Sequence, residues 1–277
     1  MPDNKLVAEH YTHGSLLEAI RQGIEKLGKT EANVTLDDLG PVEEFHIGGR
    51  QASVDFLDQL GLTPADSVLD VGCGLGGTAR FAASRYGSHI TGVDLTQEYV
   101  QTGQVMAKWV GLQDQISLEQ GSATAMTYAD ASFDMAYLMH VGMNIADKSS
   151  LTQELFRVLK PGGCLGIFDI MRISDGELTF PVPWASEPSG SAVASPAEYR
   201  LALEAAGFHI SAERNRHQFA KAFFDKLQAS TRAVGGPPPL GLHIVMGANA
   251  AQKIANMVEN VRAERIAPIE VFAVKRR

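Results

Sequence analysis

Val68-Leu-Asp-Val-Gly-Cys-Gly-Leu-Gly-Gly77 joins a short apolar run to the helical pattern Thr78 to Tyr86. The run Val68 to Val71 reads as a buried strand. The glycines after it let the backbone turn tightly and approach a ligand closely. Gly72, Gly74 and Gly77 satisfy the G-x-G-x-x-G spacing of dinucleotide sites, a spacing that a ligand-free strand–helix turn can also show. Asp70 separates the candidate ligands. A carboxylate two residues before the first glycine lies near any bound pyrophosphate, where like charges repel. Beside a cationic ligand the same carboxylate is favourable. Asp94 ends the next strand, His89 to Asp94, where an acid suits ribose hydroxyls.

Outward from this loop, strands alternate with helices. A helix is expected over Glu98 to Val110, strands over Ile116 to Glu119 and Phe133 to Met139, and a helix over Ser149 to Leu159. Pro161-Gly-Gly163 is expected to turn into a strand from Cys164 to Ile170. A helix from Pro196 to Ala206 closes on Gly207, and strands Phe208 to Glu213 and Ile269 to Lys275 complete the sheet. This is the pattern of an α/β, Rossmann-like fold, with a seven-stranded, mostly parallel sheet and helices on both faces. Ligands bind such sheets at the carboxyl ends of the strands. Upstream, a helix over Leu16 to Leu27, a turn capped by Thr35 and a helix over Gln51 to Leu60 are expected, and the first residues are expected to fray. The predicted division is an N-terminal helical cap at 1–61 and a sheet domain at 62–277, with a helical lid insertion at 215–268.

The 277 residues are 45% hydrophobic and 20% charged, with a net charge of −8. Nucleic-acid affinity comes largely from Lys and Arg neutralising phosphates, and the one Lys/Arg run is Lys275-Arg-Arg277. The balance predicts a small-molecule partner and no nucleic acid. Cys73 and Cys164 lack neighbours at ligand spacing, so no metal site is expected. With no apolar stretch long enough to span a bilayer and no signal-like N-terminus, no membrane span and a cytoplasmic location are expected.

VLDVGCGLGG at 68–77, GVDL at 92–95, ASFDMAYL at 131–138 and RVLKPGG at 157–163 together resemble the class I S-adenosylmethionine-dependent methyltransferases of small-molecule type. The resemblance runs from about Ser67 to Phe168. It implies S-adenosylmethionine as cofactor, with Asp70, Gly72, Gly74 and Gly76 at its methionine part, Asp94 at the ribose and Leu95 on the adenine ring. The acid that often binds the adenine amino group is missing. Ser122 and the backbone of Ala123 stand in its place.

The segment after the fourth strand, Met139 to Lys148, should face the transferred group. Similar small-molecule methyltransferases carry a His shortly before an Asp-Arg or Asp-Lys pair. Here Asn144 holds that place and His140 lies one helical turn earlier. A neutral His accepts a proton near pH 7, whereas Asn only orients a partner. His140 and Asn144 are thus the catalytic candidates, with His140 otherwise walling the cofactor pocket. Phe45-His-Ile-Gly-Gly-Arg50 resembles the His-x-Gly element of methyltransferases acting on glycine derivatives (sarcosine, dimethylglycine) or tocopherol-like phenols. That places His46 and Arg50 at the substrate with Tyr11, against the plainer reading of a helix-start turn. Trp184 offers an aromatic or cation–π wall or simply anchors its segment. Met246 and Met257 read as lid packing.

Three functions stay open. One is methyl transfer to a small amine or phenol. The second is a nicotinamide-dependent oxidoreductase, and the third is a non-catalytic S-adenosylmethionine-binding protein. The lid insertion equally suits a homodimer contact.

Overall fold

The computed structural model describes residues 3–234, 237–247 and 249–276. Arg277 of the basic tail, and residues 235, 236 and 248 of the insertion, lie outside the described residues. The sheet contains β1 (Ser67–Val71), β2 (His89–Asp94), β3 (Ile116–Gln120), β4 (Phe133–Met139), β5 (Leu159–Arg172), β6 (Phe208–Asn215) and β7 (Ile266–Lys275). Their order is β3-β2-β1-β4-β5-β7-β6. The first five run parallel, and β7 runs antiparallel to both β5 and β6. Chain order reverses between β1 and β4, so a crevice opens beyond their carboxyl ends.

Alternation along the strands builds two layers. Leu69 and Val71 face Leu151, Leu155 and Val158 of α7 (Lys148–Val158) and Tyr199 and Leu203 of α8 (Pro196–Ala206). Val68 faces the opposite layer. There it meets Phe56 and Leu57 of α4 (Gly49–Leu60), Ala79 and Ala82 of α5 (Gly77–Tyr86) and Val100 of α6 (Gln97–Trp109). The ends of α8 follow from its sequence. Ser195 and Glu198 form a capping box, and Gly207 takes the left-handed conformation at φ 104°.

The expected turn at Pro161–Gly163 is instead a bulge inside one long strand. β5 starts at Leu159 opposite Phe133, and the pairing slips before resuming at Cys164 opposite Met135. Upstream, α2 (Leu16–Lys26) buries Leu16, Ile20, Gly23 and Ile24, the stripe its spacing predicts. It has no side-chain cap of its own. Glu98, in the first turn of α6, accepts the backbone N–H groups of His13, Gly14 and Leu16 instead. Thr35 caps α3 (Leu36–Glu43) as expected, and Asp38 completes a capping box with it.

The N-terminus expected to fray is a helix, α1 (Asn4–Tyr11), started by Asp3, which accepts the Leu6 N–H. It buries no residue, so it carries no apolar stripe to betray it. Polar contacts hold it instead. The Asn4 amide donates to Ser122 Oγ (3.2 Å), the His10 ring meets the Pro183 carbonyl (3.0 Å) and the Tyr11 hydroxyl donates to Asn144 Oδ1 (3.3 Å). Between β6 and β7 lie α9 (His217–Val234), α10 (His243–Met246) and α11 (Ala250–Arg262). Leu240 and Val245 pack into the core of α2 and α3.

A buried ion pair joins the N-terminal helices to the sheet. Arg80 of α5 donates to the Glu43 carboxylate of α3 and to the Gly103 carbonyl (3.0 Å), and both charged side chains are fully buried. Gly77 is required there, because a Cβ would stand 2.6 Å from Glu43 Cγ. Removing one partner of a buried pair strands the other charge, at a cost of about 3–5 kcal/mol. Arg80→Met should therefore lower the unfolding free energy by about that amount in urea titration. Arg80→Met/Glu43→Leu should recover most of it. A loss near that of an exposed pair, about 1 kcal/mol or less, would contradict the pairing.

Candidate functional site

The loop after β1 is tied to the end of β2. The N–H groups of Gly72 and Cys73 donate to the Val93 carbonyl (2.7 and 3.1 Å), and that of Gly74 to Asp94 Oδ2 (2.9 Å). Asp94 Oδ1 accepts the Thr96 N–H (2.8 Å). Gly72, Gly74 and Gly76 all have positive φ. A Cβ on Gly72 would lie 2.4 Å from the Val141 side chain, so β4 can close on the loop only over glycine.

A cavity of about 140 Å³ sits over this loop, beneath α1. It gathers Asp70, Gly72, Gly74, Asp94, Leu95, Ser122 and Ala123 with Tyr11, His46, His140 and Asn144. Gly76 is absent from that lining. As the N-cap of α5 it sets the turn, and a Cβ there would press on Leu118 (2.8 Å). Arg50 and Trp184 are also absent. They line a second cavity, on whose wall Tyr11, Phe45, His46 and His140 recur.

Asp70 is 3% exposed and accepts one hydrogen bond, from the Tyr137 hydroxyl (3.0 Å). Burial pushes its pKa up to about 7, against the Tyr137 hydrogen bond, and the Asp94 charge adds to the rise. Burial raises the Asp94 pKa too, opposed by its backbone N–H partners. Among the described lining residues there is no Lys or Arg to offset Asp70 and Asp94; the third lining acid, Glu43, is paired with Arg80 behind the wall. The Tyr99 hydroxyl, buried on the same wall, has no hydrogen-bond partner among the described residues. A Cβ on Gly74 would meet only the Tyr99 ring, at 3.8 Å.

His140 sits at φ 58°, a strained conformation for a residue with a side chain. Its Nδ1 contacts the Phe168 carbonyl (3.2 Å), and its Nε2 accepts the Ile47 N–H (3.3 Å). Both nitrogens are therefore engaged by backbone, in the tautomer with the proton on Nδ1. Burial, then the nearby His46, lower its pKa to about 3. Asn144 accepts from Tyr11, and its amide donates to the Val141 carbonyl (3.3 Å).

His46 lies in a network that the sequence only half exposed. Its Nε2 stands 3.2 Å from the Gly49 carbonyl, 3.1 Å from Ser53 Oγ and 3.3 Å from the Glu44 carboxylate, and Ser53 donates to that carboxylate (2.6 Å). Arg50 pairs with Glu44 (2.9 Å) and stacks over the Phe81 ring (4.5 Å). Trp184 is buried, donates to Ser191 Oγ (2.9 Å) and packs with Ile47 and Met257. Glu43, Glu44, Tyr99 and Arg80 were missed. The signals for them were two acids just before Phe45-His46 and an arginine inside the small-residue run of α5.

Residues 68–163 match the model of the methyltransferase domain family. Phosphoethanolamine N-methyltransferase 1 of Zea mays is 33% identical over 62% of this chain and 34% of its own length. The chain thus spans about a third of that curated relative. Geranyl diphosphate C-methyltransferase from Streptomyces coelicolor A3(2) superposes with a TM-score of 0.72 at 17% identity, covering 99% of this chain and 98% of that one. The [4+2]-cyclase SpnF superposes at 0.69 and 22% identity, covering 99% and 97%. At these identities the solved structures establish the fold, a Rossmann-like class I methyltransferase fold, and a cyclase among them shows that the fold alone does not fix the chemistry.

Asp70 also sets a pH dependence. From its ordinary 3.8 up to about 7 the native chain holds a proton that the unfolded chain has lost. Unfolding free energy therefore falls as pH rises through that window, by at most about 1.4 kcal/mol per pH unit, and levels off above it. In urea titrations at pH 5 and pH 8, Asp70→Asn should show a smaller decline than the parent. Equal declines would place the raised carboxyl elsewhere.

Proposed function

We propose that this chain, with a methyltransferase domain over residues 68–163, transfers the methyl group of S-adenosylmethionine to a small-molecule acceptor. The observation that carries the reading is the pair Asp70 and Asp94 facing a cavity without a lining Lys or Arg among the described residues. A pyrophosphate there would meet the unpaired carboxylates of Asp70 and Asp94 and no lining cation among the described residues, which opposes the nicotinamide-dependent oxidoreductase. An ammonium or sulfonium meets the charge the site lacks. The open approach at Gly74 and the unpartnered Tyr99 hydroxyl support the same fit.

In this reading Asp70, Gly72 and Gly74 hold the methionine end, Asp94 the ribose, and Leu95, Ser122 and Ala123 the adenine. Gly76 acts through the turn. Bound there, S-adenosylmethionine would supply a methyl carbon on a cationic sulfur, open to an acceptor's electron pair as the carbon–sulfur pair returns to sulfur, and a neutral acceptor would release its proton to solvent. The protein's task is then alignment and exclusion of water. The cavity is below the roughly 300–1,000 Å³ of ordinary ligand sites, so α1, which buries none of its residues, is the element that yields on entry.

His140 is a positioning residue in this account. Its low basicity and engaged nitrogens hold Ile47 against the sheet and unfit it for accepting a proton near neutral pH. Tyr11 and Asn144 orient the acceptor, with His46, Arg50 and Trp184 shaping its side of the site. The lack of an evident base also favours a second reading, a non-catalytic S-adenosylmethionine-binding protein. The accompanying organisation is a cap at 1–61 and a domain at 62–277 with its lid insertion at 215–268. Two free cysteines suit a reducing cytoplasm, and the absence of nucleic-acid partners and a homodimer through the insertion belong to the same reading. No helix among the described residues is long and apolar enough to cross a membrane.

Incubation with methyl-labelled S-adenosylmethionine and a panel of amines, phenols and apolar alcohols tests the activity. Label should pass to at least one acceptor. Tight S-adenosylhomocysteine binding without transfer would favour the second reading. In calorimetry Asp70→Asn should weaken S-adenosylmethionine about tenfold or more, since it removes a buried charge partner. Unchanged affinity would contradict the assignment of Asp70.

A further inference from the structure

The second cavity measures about 1640 Å³, well beyond the roughly 300–1,000 Å³ of sites for drug-sized ligands. It lies between the cap and α9–α11 and shares Tyr11, Phe45, His46 and His140 with the first, so the two meet at that wall. The rest of its lining includes Trp184, Phe223, Phe224, Ile254, Met246 and Met257.

Among the described residues most of its charged groups stand in ion pairs, although Arg50 Nη1 and Glu44 Oε1 make no hydrogen bond. Arg50 pairs with Glu44 (2.9 Å), Arg262 with Asp225 (2.7 Å) and Glu259 with Arg265 (3.1 Å). Asp37 adds a further acid to the lining. Among the described residues a phosphate group would have to compete with Glu44 for Arg50 or with Asp225 for Arg262 to find a cation, and entering such a space unpaired is costly. A headgroup-sized zwitterion would leave most of the apolar wall against water. A large apolar molecule removes that wall from water, at roughly 25 cal/mol per Å².

We propose that the methyl acceptor is a large, uncharged, apolar molecule of isoprenoid size, seated in this cavity with its reacting atom at the Tyr11–His46–His140 wall. The proposal rests on the methyl-transfer reading for the word acceptor. Occupancy of the cavity can be tested without turnover.

A Trp109→Phe variant leaves Trp184 as the single tryptophan, and its emission reports on the cavity. With S-adenosylhomocysteine present, geranylgeraniol should shift that emission saturably in the micromolar range. Phosphoethanolamine and sarcosine should leave it unchanged into the millimolar range. Ile254→Glu, in the same background, should weaken geranylgeraniol about tenfold or more while leaving S-adenosylhomocysteine affinity and the urea midpoint unchanged. No saturable response to geranylgeraniol, saturable binding of phosphoethanolamine or sarcosine instead, or an Ile254→Glu protein with undiminished geranylgeraniol affinity would each overturn the proposal. Geranylgeraniol binding in a chain that does not bind S-adenosylhomocysteine would sink the methyl-transfer reading alone and leave the apolar site standing.

Discussion

The backbone ties from Gly72 and Cys73 to the Val93 carbonyl, and from Gly74 to the Asp94 carboxylate, set the geometry on which the rest depends. They lock the exit of β1 against the exit of β2. That forces positive φ along the loop and starts α5 in a fixed direction. Val141, beyond the end of β4, can then pack on Gly72 because nothing projects from it. Three strand ends converge on one point, and Asp70 and Asp94 arrive there together. Their burial without a lysine or arginine among the described residues of the same wall costs stability in the empty protein. Such a cost is commonly borne at sites that bind something.

Charge divides the molecule into two chemically distinct chambers. The smaller holds the two acids and an unpartnered tyrosine hydroxyl. In the larger, most ions are already matched and aromatic and aliphatic side chains make much of the wall. Tyr11, Phe45, His46 and His140 stand between them, contributed by α1, the loop before α4 and the end of β4. The cap is held to the sheet domain at several points of different chemistry. One is the buried Arg80–Glu43 pair, another the Glu98 carboxylate under α2, a third the His140–Ile47 contact. Charge and hydrogen bonds hold the N-terminal helices in register over the site.

The sheet and the loop that joins Asp70 to Asp94 were legible in the sequence because their signals are local. Glycines at fixed spacing, an acid two residues upstream and another at the end of the next strand sit within one strand–helix–strand unit. The Thr35 cap and Gly207 were likewise readable over a few residues. What escaped was non-local. Arg80 and Glu43 are 37 residues apart, and α1 is held by Ser122, Asn144 and Pro183 rather than by a stripe of its own. His140 was readable as a histidine in the right segment. Its tautomer, its strained φ and its depressed basicity depend on Phe168 and Ile47, which no local pattern announces. Trp184 does both things the sequence left open, anchoring its segment through Ser191 and walling the larger cavity.

The central claim is that the acidic cavity is built for a cationic donor and against a phosphate-bearing one. Calorimetric titration of the whole chain with S-adenosylmethionine and, separately, with NAD tests it directly. Saturable binding of S-adenosylmethionine with no heat from NAD is the predicted result. Saturable NAD binding with none for S-adenosylmethionine would contradict the account at its root.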